Sequence, residues 1–128
     1  DKRAKQHDLT MDILVQVNSA RDENKFGITT EETEELISQI AEECSNLRIR
    51  GLMCIAPYEE NVDDARPYFA AVKKIYDKYS EVKNEKVDFQ YLSMGMTNDF
   101  QVAVEEGSNL IRVGTAIFGN RDYRKEER

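Results

Sequence analysis

Residues that commonly bind metals or act as nucleophiles are scarce in this chain. Its 128 residues include one histidine, His7, and two cysteines, Cys44 and Cys54. The spacing of these three residues matches no metal-binding motif, so we expect no zinc site and two free thiols. Cys54 lies in an apolar stretch and is expected to be buried rather than reactive.

The chain also lacks a long hydrophobic run and a surplus of basic residues. No apolar stretch approaches the roughly 20 residues that a membrane-spanning helix needs, and the polar segment 1–7 has no signal-peptide core. The formal net charge of -7 argues against nucleic acid or an anionic membrane as a partner. We therefore expect a cytoplasmic protein whose partner is a small molecule.

What is present is an alternation of strand-like and helix-like patterns. The connections are too long for hairpins, so the strands are expected to be parallel with helical crossovers. With 128 residues the chain is one domain or part of one, because a complete eight-fold α/β barrel needs roughly 250 residues. The predicted strands are 13–17, 49–55, 89–94 and 110–113, and the helices that follow them are 29–44, 61–79, 98–106 and a short one from residue 115.

The third and fourth predicted strands end in similar corners. The first corner contains Gly95 and Thr97, and the second contains Gly114 and Thr115. Each corner places backbone N–H groups and a hydroxyl just past the C-terminal end of a strand, an arrangement that attracts an anion and above all a phosphate. Taken alone, the threonines would more often be helix N-caps and the glycines turn residues. Capping does not exclude phosphate binding, because both use the same amides.

Arg112 is predicted to point away from the helices, toward the interior of a barrel. A guanidinium there is costly unless a negative charge or a strong acceptor meets it. It pairs with an acid of a neighbouring strand, reaches out of the barrel mouth, or contacts a ligand, and spacing alone does not separate these readings. Ser93 is expected at the same mouth, whereas the side chains of Met94 and Met96 are expected to pack.

Four stretches in the same order resemble the pyridoxal-phosphate homeostasis protein family, whose fold is similar to the N-terminal barrel of alanine racemase. The similarity runs from about residue 13 to residue 123 and covers the second half of the family barrel. The resemblance implies an α/β fold of four βα units with parallel strands, the second half of a TIM-type (β/α)8 barrel, with residues 1–128 as a single partial domain. The stretches are Val15-Gln16-Val17-Asn18 with Lys25-Phe26-Gly27, Arg50-Gly51-Leu52-Met53, Leu92 to Phe100, and Ile111 to Gly119.

The resemblance also implies a binding site for pyridoxal 5'-phosphate. These residues would supply the phosphate-binding part of that site only, with the arginine of the last stretch beside the cofactor. A bound phosphate is expected to lie against the backbone N–H groups of Met96, Thr97, Gly114 and Thr115. The cofactor-binding residues that the resemblance implies are Ser93, Met96, Thr97, Arg112, Gly114 and Thr115.

No catalytic residue is identifiable in the sequence. The family's Schiff-base lysine lies at the end of the first barrel strand, which these residues do not include, and the lysines present lie in loops or on helices. The implied function is therefore non-catalytic: binding pyridoxal 5'-phosphate and helping to manage its intracellular supply. One alternative is a racemase-like enzyme, which would need a base on each face of the cofactor. The other is a barrel fragment that binds a different ligand, such as a sugar phosphate.

Half a barrel has a further consequence for association. Its two open strand edges, near 13–17 and 110–113, and its uncovered inner face expose apolar surface to water. We therefore expect this chain to self-associate.

Overall fold

The computed structural model describes residues 1–122 as one parallel sheet with helices packed against it. The four strands lie in the order β1-β2-β3-β4, which is how successive strands follow one another in a (β/α)8 barrel. All three neighbouring pairs are parallel, so the predicted α/β class with four parallel strands is confirmed. The strands are β1 (Met11–Gln16), β2 (Leu47–Cys54), β3 (Val87–Met96) and β4 (Leu110–Arg112).

Helices connect the strands. The longest helix begins just before Pro67, which lies in its first turn, where the missing N–H of proline leaves no hydrogen bond unmade. A single turn of 3-10 helix (Val62–Ala65) precedes it. None of the helices between residues 1 and 122 is long and apolar enough to cross a membrane. The helices are α1 (Lys2–Gln6), α2 (Thr33–Glu43), α3 (Arg66–Tyr79), α4 (Phe100–Glu105) and α5 (Thr115–Phe118).

The hydrophobic core lies between the sheet and helices α2, α3 and α4. Phe69 of α3 is fully buried there. The ring centroids of Tyr76 and Tyr79 lie 5.7 and 5.2 Å from that of Phe89 on β3. The aromatic residues of α3 therefore belong to the core, because the helix covers the outer face of the sheet.

The C-terminal end of β3 differs from the sequence prediction. The strand continues through Met96, and α4 begins at Phe100 rather than at Thr97 or Asn98. A turn separates the two elements because the Asp99 carboxylate accepts a hydrogen bond from the Met96 amide at 2.8 Å. This side-chain contact closes the corner before the helix starts.

The backbones of β2 and β3 lie in close contact at Gly51. Its backbone φ angle is 151°, and a Cβ atom built there would lie 1.7 Å from the carbonyl oxygen of Tyr91. The register between the two strands shifts between Ile49 and Gly51. A side chain at this position would force the strands apart, as expected for a glycine at a close backbone approach.

We predict that Gly51→Ala lowers the free energy of unfolding by about 3 kcal/mol or more, because neither backbone can yield without breaking the ladder. Ser38→Ala, on the exposed face of α2, is the control and should change it by less than about 0.5 kcal/mol. Urea denaturation followed by circular dichroism measures both. Equal stability of the two variants would contradict the close approach.

Candidate functional site

A cavity of about 610 Å³ opens where β3 and β4 end. The carboxyl ends of parallel strands meet at one edge of the sheet, so the two corners found in the sequence come together there. Five of the six predicted site residues line the cavity, and the sixth, Ser93, lies 2% exposed against Arg112. The lining residues are Met96, Thr97, Asn98, Ile111, Arg112, Val113, Gly114 and Thr115.

The Arg112 guanidinium is held by neutral acceptors. Its Nε donates to the hydroxyl of Ser93 at 3.1 Å. Its Nη2 donates to the carbonyl of Cys54 at 2.8 Å and to that of Ser93 at 3.4 Å. Among residues 1–122 no carboxylate lies within 4.0 Å of this side chain. The sequence-based alternative of an ion pair with a neighbouring strand is thus not what the structure contains.

The Arg112 guanidinium remains positively charged in this site. Burial lowers the pKa of the Arg112 guanidinium, and the nearby Cys54 thiol and Asp99 carboxylate oppose that shift. An arginine remains protonated at neutral pH after such a shift. Its Nη1 group makes no hydrogen bond to any of the residues described, so one donor group of this cavity-lining cation has no partner among them.

The backbone amides at the two corners are not equally free. The Met96 amide donates to Asp99, and the Gly114 amide donates to the hydroxyl of Thr97 at 3.2 Å. The amides of Thr97 and Thr115 donate to no acceptor within residues 1–122. The four amides expected around a phosphate therefore divide into two that are occupied by side chains and two that are open.

Thr97 joins the two corners. Its Oγ1 accepts hydrogen bonds from the amides of Gly114 and Ala116 at 3.2 and 3.3 Å. The hydroxyl thus occupies, at the start of α5, a position that suits an oxygen acceptor. Thr97 therefore acts as a helix cap, as the sequence alone would favour. It caps α5, which follows β4, rather than α4.

The two corner glycines have different roles. Gly95 has a φ of 100°, and a Cβ there would lie 2.8 Å from Cβ of Ala103 and from Cα of Phe100. Gly114 has no heavy atom within 4 Å of its hypothetical Cβ, and its φ of -107° is open to any residue. Packing therefore demands glycine at the first corner but not at the second, which instead leaves space beside the cavity.

Sequence reasoning missed two polar residues that shape this edge of the sheet. Asp99 is 6% exposed and closes the β3 corner. Ser108, 8% exposed, donates to the carbonyl of Met94 at 2.7 Å and so fixes the end of β3 to the segment before β4. Both stand in short polar stretches beside predicted strands, and only their burial separates them from ordinary loop residues.

Of the expectations for the other side chains, that for Met94 is confirmed and that for Met96 is wrong. Met94 is fully buried, as expected, but the side chain of Met96 is 40% exposed, so the prediction that it packs is wrong for this chain. Its strand end lies beyond the area that the helices cover. Cys54 is fully buried, and burial raises the pKa of its thiol, which fits an unreactive core residue. No cluster of metal-ligating side chains occurs among the described residues.

A larger cavity, of about 710 Å³, lies at the opposite ends of the strands. Two of its three cationic side chains already have partners: Arg48 donates to Asp88 at 2.9 Å, and Lys86 donates to the carbonyl of Cys44 at 2.9 Å, while Lys83 is the third. Size therefore does not identify the site. The smaller cavity combines a partly buried cation that has no ion-pair partner among residues 1–122 with open amides.

Fold and cavity together define a class: a parallel α/β protein with a cationic, amide-lined cavity at the carboxyl ends of two adjacent strands. The chain belongs to the alanine racemase N-terminal domain family, whose model matches residues 1–122. The resemblance found in the sequence is thereby confirmed.

Relatives and solved structures agree with this assignment. The pyridoxal phosphate homeostasis protein of Aquifex aeolicus is 41% identical over 122 residues, which cover 95% of this chain and 52% of that protein. The human protein of the same name is 36% identical over 115 residues, 89% of this chain and 42% of that protein. PipY of Synechococcus elongatus, solved with pyridoxal phosphate bound, superposes with a TM-score of 0.76 at 28% identity, over 92% of this chain and 53% of PipY. The chain thus spans about half the length of the relatives it matches.

The two corner glycines allow a paired test of this geometry. Gly95→Ala should lower the free energy of unfolding by about 2 kcal/mol, because its Cβ meets atoms that cannot move aside. Gly114→Ala should change it by less than about 0.5 kcal/mol, yet weaken the binding of inorganic phosphate, because the methyl group takes space beside the cavity. Thermal denaturation and calorimetric titration measure the two effects. A large loss of stability in Gly114→Ala would show that this glycine serves folding.

Proposed function

We propose that this chain is the second, phosphate-binding half of a pyridoxal 5'-phosphate-binding barrel and that residues 1–128 are a single partial domain. In this proposal the protein binds the cofactor and takes part in managing its supply, without turning over an amino acid. The names of the relatives and the cofactor bound in PipY support the ligand. The expectation of a cytoplasmic location stays a prediction.

The observation that carries the proposal is the guanidinium of Arg112, fixed by neutral acceptors beside open amides. A phosphate dianion is the ligand that best satisfies a fixed cation and converging N–H groups together. Arg112, Thr97, Gly114 and Thr115 would hold the phosphate, with Ser93 keeping the guanidinium in place and Met96 bordering the cavity. The donor set therefore fits the phosphate group of the cofactor.

Bound pyridoxal phosphate supplies a reactive aldehyde and an electron-withdrawing ring. Among residues 1–122, the side chains that line this cavity include no lysine, histidine or acid, so they bind and orient rather than transfer protons. This composition favours a carrier over a racemase-like enzyme. A sugar phosphate remains the alternative ligand, because the lining residues recognise the phosphate and not the rest of the molecule.

Ligand titration tests the proposal. We expect calorimetry to give tighter binding of pyridoxal 5'-phosphate than of ribose 5-phosphate, with inorganic phosphate competing against both. Tighter binding of the sugar phosphate would favour the alternative ligand. An assay of alanine racemisation should show no rate above that of free cofactor, and a faster rate would favour the enzyme.

Arg112→Gln should weaken the binding of pyridoxal 5'-phosphate about tenfold or more, because the charge-assisted hydrogen bond to phosphate is lost. Glutamine can still donate to one of the acceptors at Ser93 and Cys54, so we expect a stability loss of only about 1 kcal/mol, a few degrees in melting temperature. Arg3→Gln, on exposed α1, is the control and should change neither quantity. Unchanged affinity with a large drop in melting temperature would make Arg112 a structural residue.

We also propose that the isolated chain self-associates. Apolar side chains are exposed along the β4 side of the sheet, including Ile117 and Phe118 of α5, which are 69% and 85% exposed. Covering a few hundred Å² of such surface is worth several kcal/mol at about 25 cal/mol per Å². The edge strands β1 and β4 offer further unpaired backbone, although Ile28 covers the end of β1 through one bridge to Val17.

Sedimentation at micromolar concentration should therefore show a dimer or a larger species. Reduction with borohydride in the presence of pyridoxal phosphate should leave no single lysine selectively modified, because no lysine between residues 1 and 122 lines the cavity. A monodisperse monomer would contradict self-association. One specifically modified lysine would contradict the assignment of this half to the phosphate alone.

A further inference from the structure

Arg50 is a nearly buried cation without a hydrogen bond. It lies on β2, on the face of the sheet turned away from the helices, and its side chain is 12% exposed. Within residues 1–122 its guanidinium donates to no acceptor, and its Nε is fully buried without a partner. The nearest carboxylate oxygens, of Asp12 and Asp88, lie 3.9 and 4.0 Å from Nη1, beyond hydrogen-bond distance. The carbon of the guanidinium also lies 5.8 Å from the centroid of the Tyr91 ring.

Two carboxylates lie at ion-pair distance from this guanidinium, but neither accepts a hydrogen bond from it. Asp88 is already engaged by Arg48 at 2.9 Å, and its second oxygen, Oδ1, is buried without a partner. Asp12 is 57% exposed and stands on the edge strand β1. A guanidinium withdrawn from water without acceptors costs free energy. The buried Nε of Arg50 therefore lacks a hydrogen-bond acceptor on the inner face of the sheet.

The surroundings of Arg50 indicate which kind of group could accept a hydrogen bond from it. A small cavity of about 200 Å³ on the inner face is bordered by Arg50 and Asp12 and by the apolar residues Ile13, Leu14, Tyr91 and Leu110. Tyr91 and Leu110 are 43% and 42% exposed. In a (β/α)8 barrel such a face is filled by side chains from strands on all sides. The relatives that match this chain are about twice as long.

We propose that Arg50 anchors a complementing polypeptide: βα units that pair with the edges of β1 and β4 and present an Asp or Glu carboxylate to the Arg50 guanidinium. A carboxylate is the acceptor that meets a guanidinium through two parallel hydrogen bonds, and it would satisfy the buried Nε. The inference rests on the half-barrel architecture proposed above and not on cofactor binding. Docking would use the same strand edges, β1 and β4, as self-association, so the complement should replace the second copy.

Co-expression tests the proposal. The chain is produced together with the segment of the Aquifex aeolicus pyridoxal phosphate homeostasis protein that it does not match, without pyridoxal phosphate. We expect sedimentation to show a one-to-one complex in place of the homodimer. Arg50→Met should weaken the complex about tenfold or more, because a desolvated charge pair is lost, and Arg50→Lys should have an intermediate effect. Arg3→Met, on α1, is the matched control and should bind like the unmodified chain.

The stability of the free chain separates an anchor from a structural ion pair. Arg50→Met removes a buried charge that lacks acceptors, so the melting temperature of the free chain should stay the same or rise. A lower melting temperature with unchanged affinity for the segment would overturn the anchoring role. No complex with the unmodified chain, or persistence of the homodimer, would overturn the proposed occupant.

Alanine substitution of each acidic residue in the added segment then identifies the carboxylate. One of these changes should be non-additive with Arg50→Met in a double-mutant cycle. Additivity at every acid would overturn the carboxylate assignment.

Because the complex is measured without cofactor, its formation together with a failure to bind pyridoxal phosphate would count against the proposed function alone.

Discussion

The candidate site depends on how the Arg112 guanidinium is held. Hydrogen bonds to the Ser93 hydroxyl and the Cys54 carbonyl connect β4 to the ends of β3 and β2. These acceptors fix the orientation of the side chain but carry no negative charge, so within residues 1–122 the cation has no ion-pair partner, and the Asp99 carboxylate acts on it only from a distance. In a chain with a net charge of -7, such a local positive centre is the feature that makes one cavity suitable for an anion.

Side chains of the site itself accept hydrogen bonds from several of the corner amides. Asp99 occupies the Met96 amide, and Thr97 occupies the amides of Gly114 and Ala116. A phosphate that displaced these groups would exchange one set of hydrogen bonds for another, with little net gain. Affinity would therefore come mainly from Arg112 and from the open amides of Thr97 and Thr115. This reasoning places the charge, rather than the number of amides, at the centre of ligand binding.

Much of the fold could be predicted from the sequence because hydrophobic periodicity and connection length determine a parallel α/β arrangement. Placement of the site residues followed from the same rule, since consecutive parallel strands end at one edge. Side-chain contacts to the backbone could not be predicted. Because Asp99 accepts a hydrogen bond from the Met96 amide, α4 starts later than predicted. Arg112 donates its hydrogen bonds to main-chain carbonyls and the Ser93 hydroxyl rather than to an acid. Such acceptors are present in every sequence, so residue types alone do not reveal which are used.

Arg50 and Arg112 show that similar placement does not give similar roles. Both project from neighbouring parts of the sheet away from the helices, and both lack a hydrogen-bonded carboxylate. Arg112 lies at the strand ends, where carbonyls and a serine hydroxyl are free to accept from it. Arg50 lies within the ladder between Met11–Gln16 and Val87–Met96, where the carbonyls of parallel strands already accept ladder hydrogen bonds. A hydrogen-bond acceptor for Arg50 would therefore have to come from outside these strand backbones, so the position along the strand separates the arginine proposed to bind a ligand from the one proposed to serve assembly.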